Sequence, residues 1–195
     1  MNKEMFKTIA SIIALMSLLI FSYLYTKKHR EFNPFTLKLM TPAGPTRLAD
    51  LTQNKITLLY FGFLTCPDAC PTTLSTVSAA FKELKASDLE RLNFLFVDLD
   101  PERDTLAKLK DYTAFFHPKI TPISIPLEDL DAFTRFFGIV FMKVPLKTSK
   151  MGYTIDHSTD ILVMDSKGKI ISHIEHGTTK ILMVNLLNKL LTENK

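Results

Sequence analysis

The chain has 195 residues, of which 46% are hydrophobic and 23% charged, with a formal net charge of +4. That length fits one ordinary domain plus a short extra segment, and the composition excludes a disordered chain. The Lys and Arg residues are spread rather than gathered, which argues against a nucleic-acid partner, and two cysteines are too few for a disulfide scaffold.

The first feature in chain order is an apolar run, Thr8 to Tyr25, that contains no charge. At about 1.5 Å of rise per residue, a helix of this length spans most of a hydrocarbon core of about 30 Å. Phe21, Tyr23 and Tyr25 stand where an interfacial aromatic belt would lie. A cleaved signal peptide has a shorter apolar core and ends in small residues, whereas this run ends in Tyr23-Leu24-Tyr25 and then Lys27, Lys28, His29 and Arg30. Residues 1–30 are therefore expected to form an uncleaved single-span anchor with its flanks, and residues 31–195 the folded domain. Lys3 and Lys7 precede the run, while Lys27, Lys28 and Arg30 follow it, so flanking charge alone would leave the domain in the cytosol or the orientation undecided. No Arg-rich amphipathic leader precedes the run, which points to a bacterial rather than a mitochondrial membrane.

Beyond the anchor, Glu31 to Pro45 reads as a linker entering a first strand: Thr36 to Met40 alternates, and Pro42, Gly44 and Pro45 then turn it. Ile56 to Phe63 is a continuous apolar run of strand length, the pattern of a strand buried on both faces. Leu74, Val77, Phe81 and Leu84 recur at helical spacing and predict a helix over 72–84. Asn93 to Leu99 is a second buried strand. Asp104-Thr105 can cap a helix carrying Leu106, Leu109, Thr113 and Phe116 on one face. Thr121 to Ile125 is a short strand, and Leu127 to Phe137 a helix closed by Gly138. Phe141 to Tyr153 is too polar and irregular for core and is expected to be a long loop or loose hairpin. Ile161 to Met164 and Ile170 to Ile174 flank "DSKGK" as a hairpin, and a last helix carries Ile181, Leu182, Leu186, Leu190 and Leu191. The order βαβαβα, then ββα, predicts an α/β domain: a central sheet with helices on both faces and an antiparallel hairpin at one side.

Cys66 and Cys70 follow a buried strand and precede a helix, which puts them at the carboxyl end of the sheet, where sites of open α/β folds form. Pro71 suits the first helical position, so Cys70 is expected at the N-cap and Cys66 in the loop before it. A helix N-terminus favours thiolate, the species needed for disulfide exchange and for soft-metal binding. Three intervening residues let the sulfurs close a disulfide or grip one ion. The bland alternative is a pair of small buried hydrophobes, a common state of free cysteine.

Five histidines are available as a further ligand. His29 belongs to the basic flank of the anchor. His117 precedes Pro118 at a helix end, where a cation suits the dipole. His173 and His176 would point to opposite faces of a strand and its exit. His157 lies between the long loop and an apolar strand, flanked by Asp156 and Ser158, and that loop could bring it over the cysteine edge.

The segments "YFGFLTCPDACP", "LDPERDT" and "DHSTDILVMD", in this order and spacing, resemble the SCO/SenC family of copper-binding, thioredoxin-like proteins that serve assembly of the CuA centre of cytochrome c oxidase. The resemblance runs from about Phe35 to the C-terminus, and the leading anchor agrees with it. It implies a thioredoxin-like fold, with Cys66, Cys70 and His157 as ligands of copper as Cu(I) or Cu(II). Asp100, the first aspartate of "DPERDT", is implied as a further ligand or a group behind one. The implied partners are the copper-receiving subunit of cytochrome c oxidase and other copper chaperones. The implied location is the outer, periplasmic side of the bacterial inner membrane. Many members carry His just before the first cysteine; this chain has Thr65, which would alter the thiol electrostatics.

Three functions compete. A metallochaperone hands over copper without turnover. A thiol-disulfide reductase keeps partner cysteines reduced, but such enzymes usually carry C-x-x-C, and C-x3-C plus a third ligand favours metal. A peroxidase would need a basic pocket around one cysteine, and none is identifiable in the sequence. The charges of "DPERDT" also have a plain alternative role, capping the helix that follows.

Overall fold

The computed structural model describes residue 9, residues 12–22 and residues 32–193. The chain divides into two compact units between Phe32 and Asn33. In the first, residues 9 and 12–22 are helical, with Ile12, Ile13, Leu15, Leu18, Leu19 and Phe21 exposed. The two ends of the expected span lie outside the described residues, as do residues 10 and 11 and the basic flank with His29. Among the described residues no helix is long and apolar enough to cross a membrane.

The second unit is built on a five-stranded sheet. Its strands are β3 (Ile56–Gly62), β4 (Leu92–Asp98), β5 (Ile120–Ile123), β8 (Ile161–Met164) and β9 (Ile170–Ile174), in the order β5-β4-β3-β8-β9. β3, β4 and β5 run parallel; β8 is antiparallel to β3, and β9 to β8. This is the α/β sheet with a lateral hairpin that the element order predicts. β3 is buried at every position because helices cover both its faces. On one side Leu58 and Tyr60 join Phe94 and Phe96 of β4 against Leu74, Val77 and Phe81 of α2 (Ala69–Phe81), Leu109 of α4 (Leu106–Phe116) and Met183 and Leu187 of α6 (Lys180–Glu193). On the other side the ring of Phe61 lies 6.2 Å from Phe133 of α5 (Leu127–Phe136) and 6.3 Å from Phe137. Each fully buried Phe or Leu contributes about 1.5–3 kcal/mol, whereas the Arg47–Asp50 ion pair is exposed and screened by solvent, so the two sheet faces hold the fold.

Local chemistry shifts several boundaries. α2 starts at Ala69 with Asp68 as N-cap, so Cys70 is inside the first turn rather than at the cap. Pro71 is accommodated there because the first turn of a helix has no intrahelical use for its N–H. Thr105 caps α4 as expected, accepting from Lys108 N, and α5 closes at Gly138, whose φ of 69° is the left-handed conformation that glycine adopts without strain. The expected first strand is β1 (Lys38–Thr41), which pairs with β2 (Gly44–Arg47) in a separate two-stranded ribbon. Short helices α1 (Leu48–Thr52) and α3 (Ala86–Leu89) carry too few residues to show a period in the sequence. The segment expected as a long loop or loose hairpin is a regular hairpin, β6 (Phe141–Pro145) and β7 (Tyr153–His157), forming a third sheet of its own.

Candidate metal centre

β3 ends at Gly62, and the chain turns at once: Cys66 N–H donates to Phe63 O at 3.3 Å. The turn leaves Cys66 half-buried just ahead of α2, while Cys70, one helical turn on, is fully buried. Cys70 N–H is among the helix-start donors without an intrahelical acceptor, and it donates to Cys66 Sγ at 3.3 Å. The Cys70 side chain also bonds to Cys66, and this, with smaller help from His157 and from the N–H groups of Cys70 and Asp68, outweighs burial and lowers the Cys66 pKa to about 4. The same bond, together with burial and the charge of Cys66, pushes the Cys70 thiol up. One negative charge thus sits on the outer sulfur, and the inner sulfur keeps its proton until a cation replaces it.

Gly62 makes room for that inner sulfur. A Cβ at this position would lie 2.7 Å from Cys70 Sγ and 2.9 Å from the Phe96 ring. Two positions back, the Tyr60 side chain is fully buried and its hydroxyl has no hydrogen-bond partner among the described residues. Burial pushes its pKa up, so the phenol is neutral.

His157 arrives from the other direction, as the last residue of β7, paired with Phe141. Its Nδ1 lies 2.7 Å from Ser158 O. A carbonyl only accepts, so Nδ1 carries the proton and the Nε2 lone pair is left for a ligand role. The imidazole meets the Phe63 ring edge to face, at 5.9 Å and 80°. One ligand atom each from Cys66, Cys70 and His157 come within 4.8 Å of one another. Two sulfurs and an imidazole are a soft-to-borderline donor set. Such a set suits copper above zinc, and Cu(I) accepts three ligands.

Asp100 is outside this group. It is 1% exposed; its Oδ2 takes Arg103 Nε at 2.5 Å and its Oδ1 takes the Tyr153 hydroxyl at 2.7 Å. Asp104, expected as a helix cap, instead accepts Leu64 N–H at 2.7 Å and so holds the cysteine loop. Asp98 lies behind both. Burial raises its pKa to about 8, assisted by the charges of Asp104 and Asp100 and opposed by the N–H of Asp100. Sequence reasoning missed Gly62, Arg103 and Tyr153. "DPERDT" was a visible signal for Arg103, while Tyr153 had none, since its partners lie on a distant segment.

The other described histidines stay apart from the centre. His117 caps α4, but burial lowers its pKa and Nδ1 accepts Lys119 N–H at 3.2 Å, so it is a neutral ring packed 5.3 Å from Phe81 rather than a cation for the dipole. His173 is exposed, and His176 bonds Thr73 Oγ1 at 3.1 Å.

Comparison with known proteins agrees with this arrangement. The SCO2-like protein of Rickettsia prowazekii is 30% identical over 150 residues, covering 77% of this chain and 72% of that protein. Apo Sco1 from Thermus thermophilus superposes with a TM-score of 0.71 at 31% identity, covering 81% of this chain and 91% of its own. ScoI of Bradyrhizobium japonicum, solved with copper bound, gives 0.70 at 29% identity, covering 78% and 96%. The second unit accordingly has a thioredoxin-like fold. The SCO1/SenC family model matches residues 25–192, and the chain belongs to the SCO1/SenC family.

Proposed function

We propose that this protein is a copper metallochaperone that binds its cargo through Cys66, Cys70 and His157. It would deliver that copper to the CuA site of cytochrome c oxidase during assembly. The observation that carries the reading is the convergence of these three ligand atoms within 4.8 Å. The copper-bound relative supports it. The Cys66 thiolate is the first ligand; Cys70 releases its proton as the ion binds; Nε2 of His157 completes the set. The same sulfurs can close a disulfide, which gives two electrons to an acceptor and forfeits the metal, so loading and thiol redox state are coupled. The exposed apolar helix at 12–22 supports a membrane anchor, with the domain on the outer face of a bacterial inner membrane where the proposed recipient lies.

A second reading, thiol-disulfide reductase, rests on a specific observation. An acidic, half-exposed Cys66 beside a buried, protonated Cys70 is the asymmetry of an attacking and a resolving thiol. His157→Ala separates the two. The chaperone loses Cu(II) affinity more than Cu(I) affinity, and oxidase assembly fails, because Cu(I) tolerates a two-sulfur site better. A reductase keeps its rate against a model disulfide. Cells that assemble oxidase normally with His157→Ala but not with Cys66→Ser would replace the chaperone by the reductase.

A further inference from the structure

The β6–β7 ribbon that carries His157 is not hydrogen-bonded into the five-stranded sheet. Strand register therefore does not fix the distance from His157 to the sulfurs. At its base the ribbon is closed on itself, by Ser158 N to Val140 O at 3.0 Å and Val140 N to Ser158 Oγ at 3.2 Å. Further along, it is held by the turn between β4 and α4. Arg103 Nη1 donates to Met151 O and to Tyr153 O, each at 3.0 Å, and its guanidinium lies 3.6 Å over the Tyr153 ring. Asp100 orients this fork from below, accepting Arg103 Nε on one oxygen and the Tyr153 hydroxyl on the other. Lys143 of β6 pairs with Glu102 of the same turn.

That turn also grips the cysteine side. Asp104 accepts Leu64 N–H at 2.7 Å, and Leu99 N–H donates to Gly62 O at 2.8 Å. Both halves of the three-ligand set are thus fastened to one short segment, 99–104. The cysteine half is fastened just ahead of Cys66, by one backbone bond at Gly62 O and by the Asp104 carboxylate at Leu64 N–H. The histidine half is fastened by side chains, namely the Lys143–Glu102 pair, the Tyr153 hydroxyl on Asp100 and Arg103, and of these Arg103 alone supplies planar, multidentate donors that reach two carbonyls, a carboxylate and an aromatic face together.

We propose that Arg103, oriented by Asp100 and stacked on Tyr153, is the positioning residue that holds His157 in reach of the Cys66–Cys70 pair and so sets whether bound copper has three ligands or two. The proposal rests on the copper reading above. Its chemical consequence is selective. Cu(I) is satisfied by two thiolates, whereas Cu(II) depends on the additional nitrogen donor. Loosening the ribbon therefore costs Cu(II) binding first, without touching any ligand.

The test uses the full-length protein with Arg103→Met, Arg103→Lys and Tyr153→Phe, alongside His157→Ala. Cu(I) and Cu(II) affinities are measured by competition, and nitrogen coupling to Cu(II) by electron paramagnetic resonance. Far-ultraviolet circular dichroism reports the fold of each variant. For Arg103→Met the expected result is a loss of Cu(II) affinity of about tenfold or more, with nitrogen coupling weakened and Cu(I) affinity changed by less than about threefold. Arg103→Lys keeps the charge without the fork and does not rescue. Tyr153→Phe retains the stacked ring and gives a smaller loss of the same kind; it decides the matter if Arg103→Met fails to fold. Wild-type Cu(II) affinity and coupling in both Arg103→Met and Tyr153→Phe, with both lost in His157→Ala, overturns the positioning role alone. Equal losses of Cu(I) and Cu(II) overturn it too, since they mark a merely structural residue. If His157→Ala itself matches wild type, the three-ligand copper reading falls first.

Discussion

Cys66 and Cys70 stand four positions apart yet ionise in opposite directions, because the side-chain bond between them lowers the pKa of Cys66 and raises that of Cys70, and burial adds to the rise at Cys70. A Cys66 pKa of about 4 lies below the ordinary thiol value of about 8.5, so the thiolate is present at every pH above about 4 and is lost as pH falls through that value. Alkylation with iodoacetamide should accordingly label one thiol rapidly at pH 6, where ordinary thiols are nearly inert, and mass spectrometry should find the label on Cys66. Cys66→Ser should abolish this fast phase; a rate that rises only above pH 8 would contradict the assignment. The identity of the pair was legible from the sequence, since C-x3-C between a buried strand and a helix leaves few other uses. Which sulfur carries the charge was not legible, because it depends on a side-chain bond across one helical turn. His157 was placed by its position and by family likeness, but the proton on Nδ1 follows only from the Ser158 carbonyl beside it.

At the scale of elements, strands buried on both faces announced themselves as unbroken apolar runs, and β3 and β4 appear where those runs stand. The β6–β7 ribbon did not, because one of its faces is solvated and it packs on a turn rather than on the sheet, so its residues carry no strong apolar alternation. β2 contains Gly44 and Pro45, which read as breakers; a two-stranded ribbon tolerates them because one side of each strand has no ladder to serve. Gly62 read only as a break in an apolar run, yet its missing side chain is what admits the Cys70 sulfur. Gly62→Ala should destabilise the domain by about 1–3 kcal/mol in urea unfolding, because β3 and the Phe96 ring leave the new methyl nowhere to go. It should also weaken copper binding by displacing the inner sulfur. An unchanged unfolding midpoint with unchanged copper affinity would show that the sulfur has room to spare.

For the molecule as a whole, the flanking basic residues favour the cytosol or leave the orientation undecided, while the proposed recipient favours the outer face, and a topology measurement decides. Alkaline phosphatase fused after Lys195 should be active and a fluorescent protein at the same point dark; a bright fusion with inactive phosphatase would put the domain in the cytosol. The architecture adds a matter of timing. β3 and the cysteine turn come early in the domain, while β8, which pairs with β3 through Thr57↔Met164, Leu58↔Val163 and Leu59↔Leu162, comes late and follows directly on His157. Pairings between such remote segments form slowly, since the whole intervening chain must first be closed into a loop. If the domain folds on an oxidising outer face, as proposed above, the two thiols stand bare before the imidazole reaches them, and closure of the disulfide competes with folding. Protein isolated from that face without reductant is then expected to carry the Cys66–Cys70 disulfide and to take up copper only after it has been reduced.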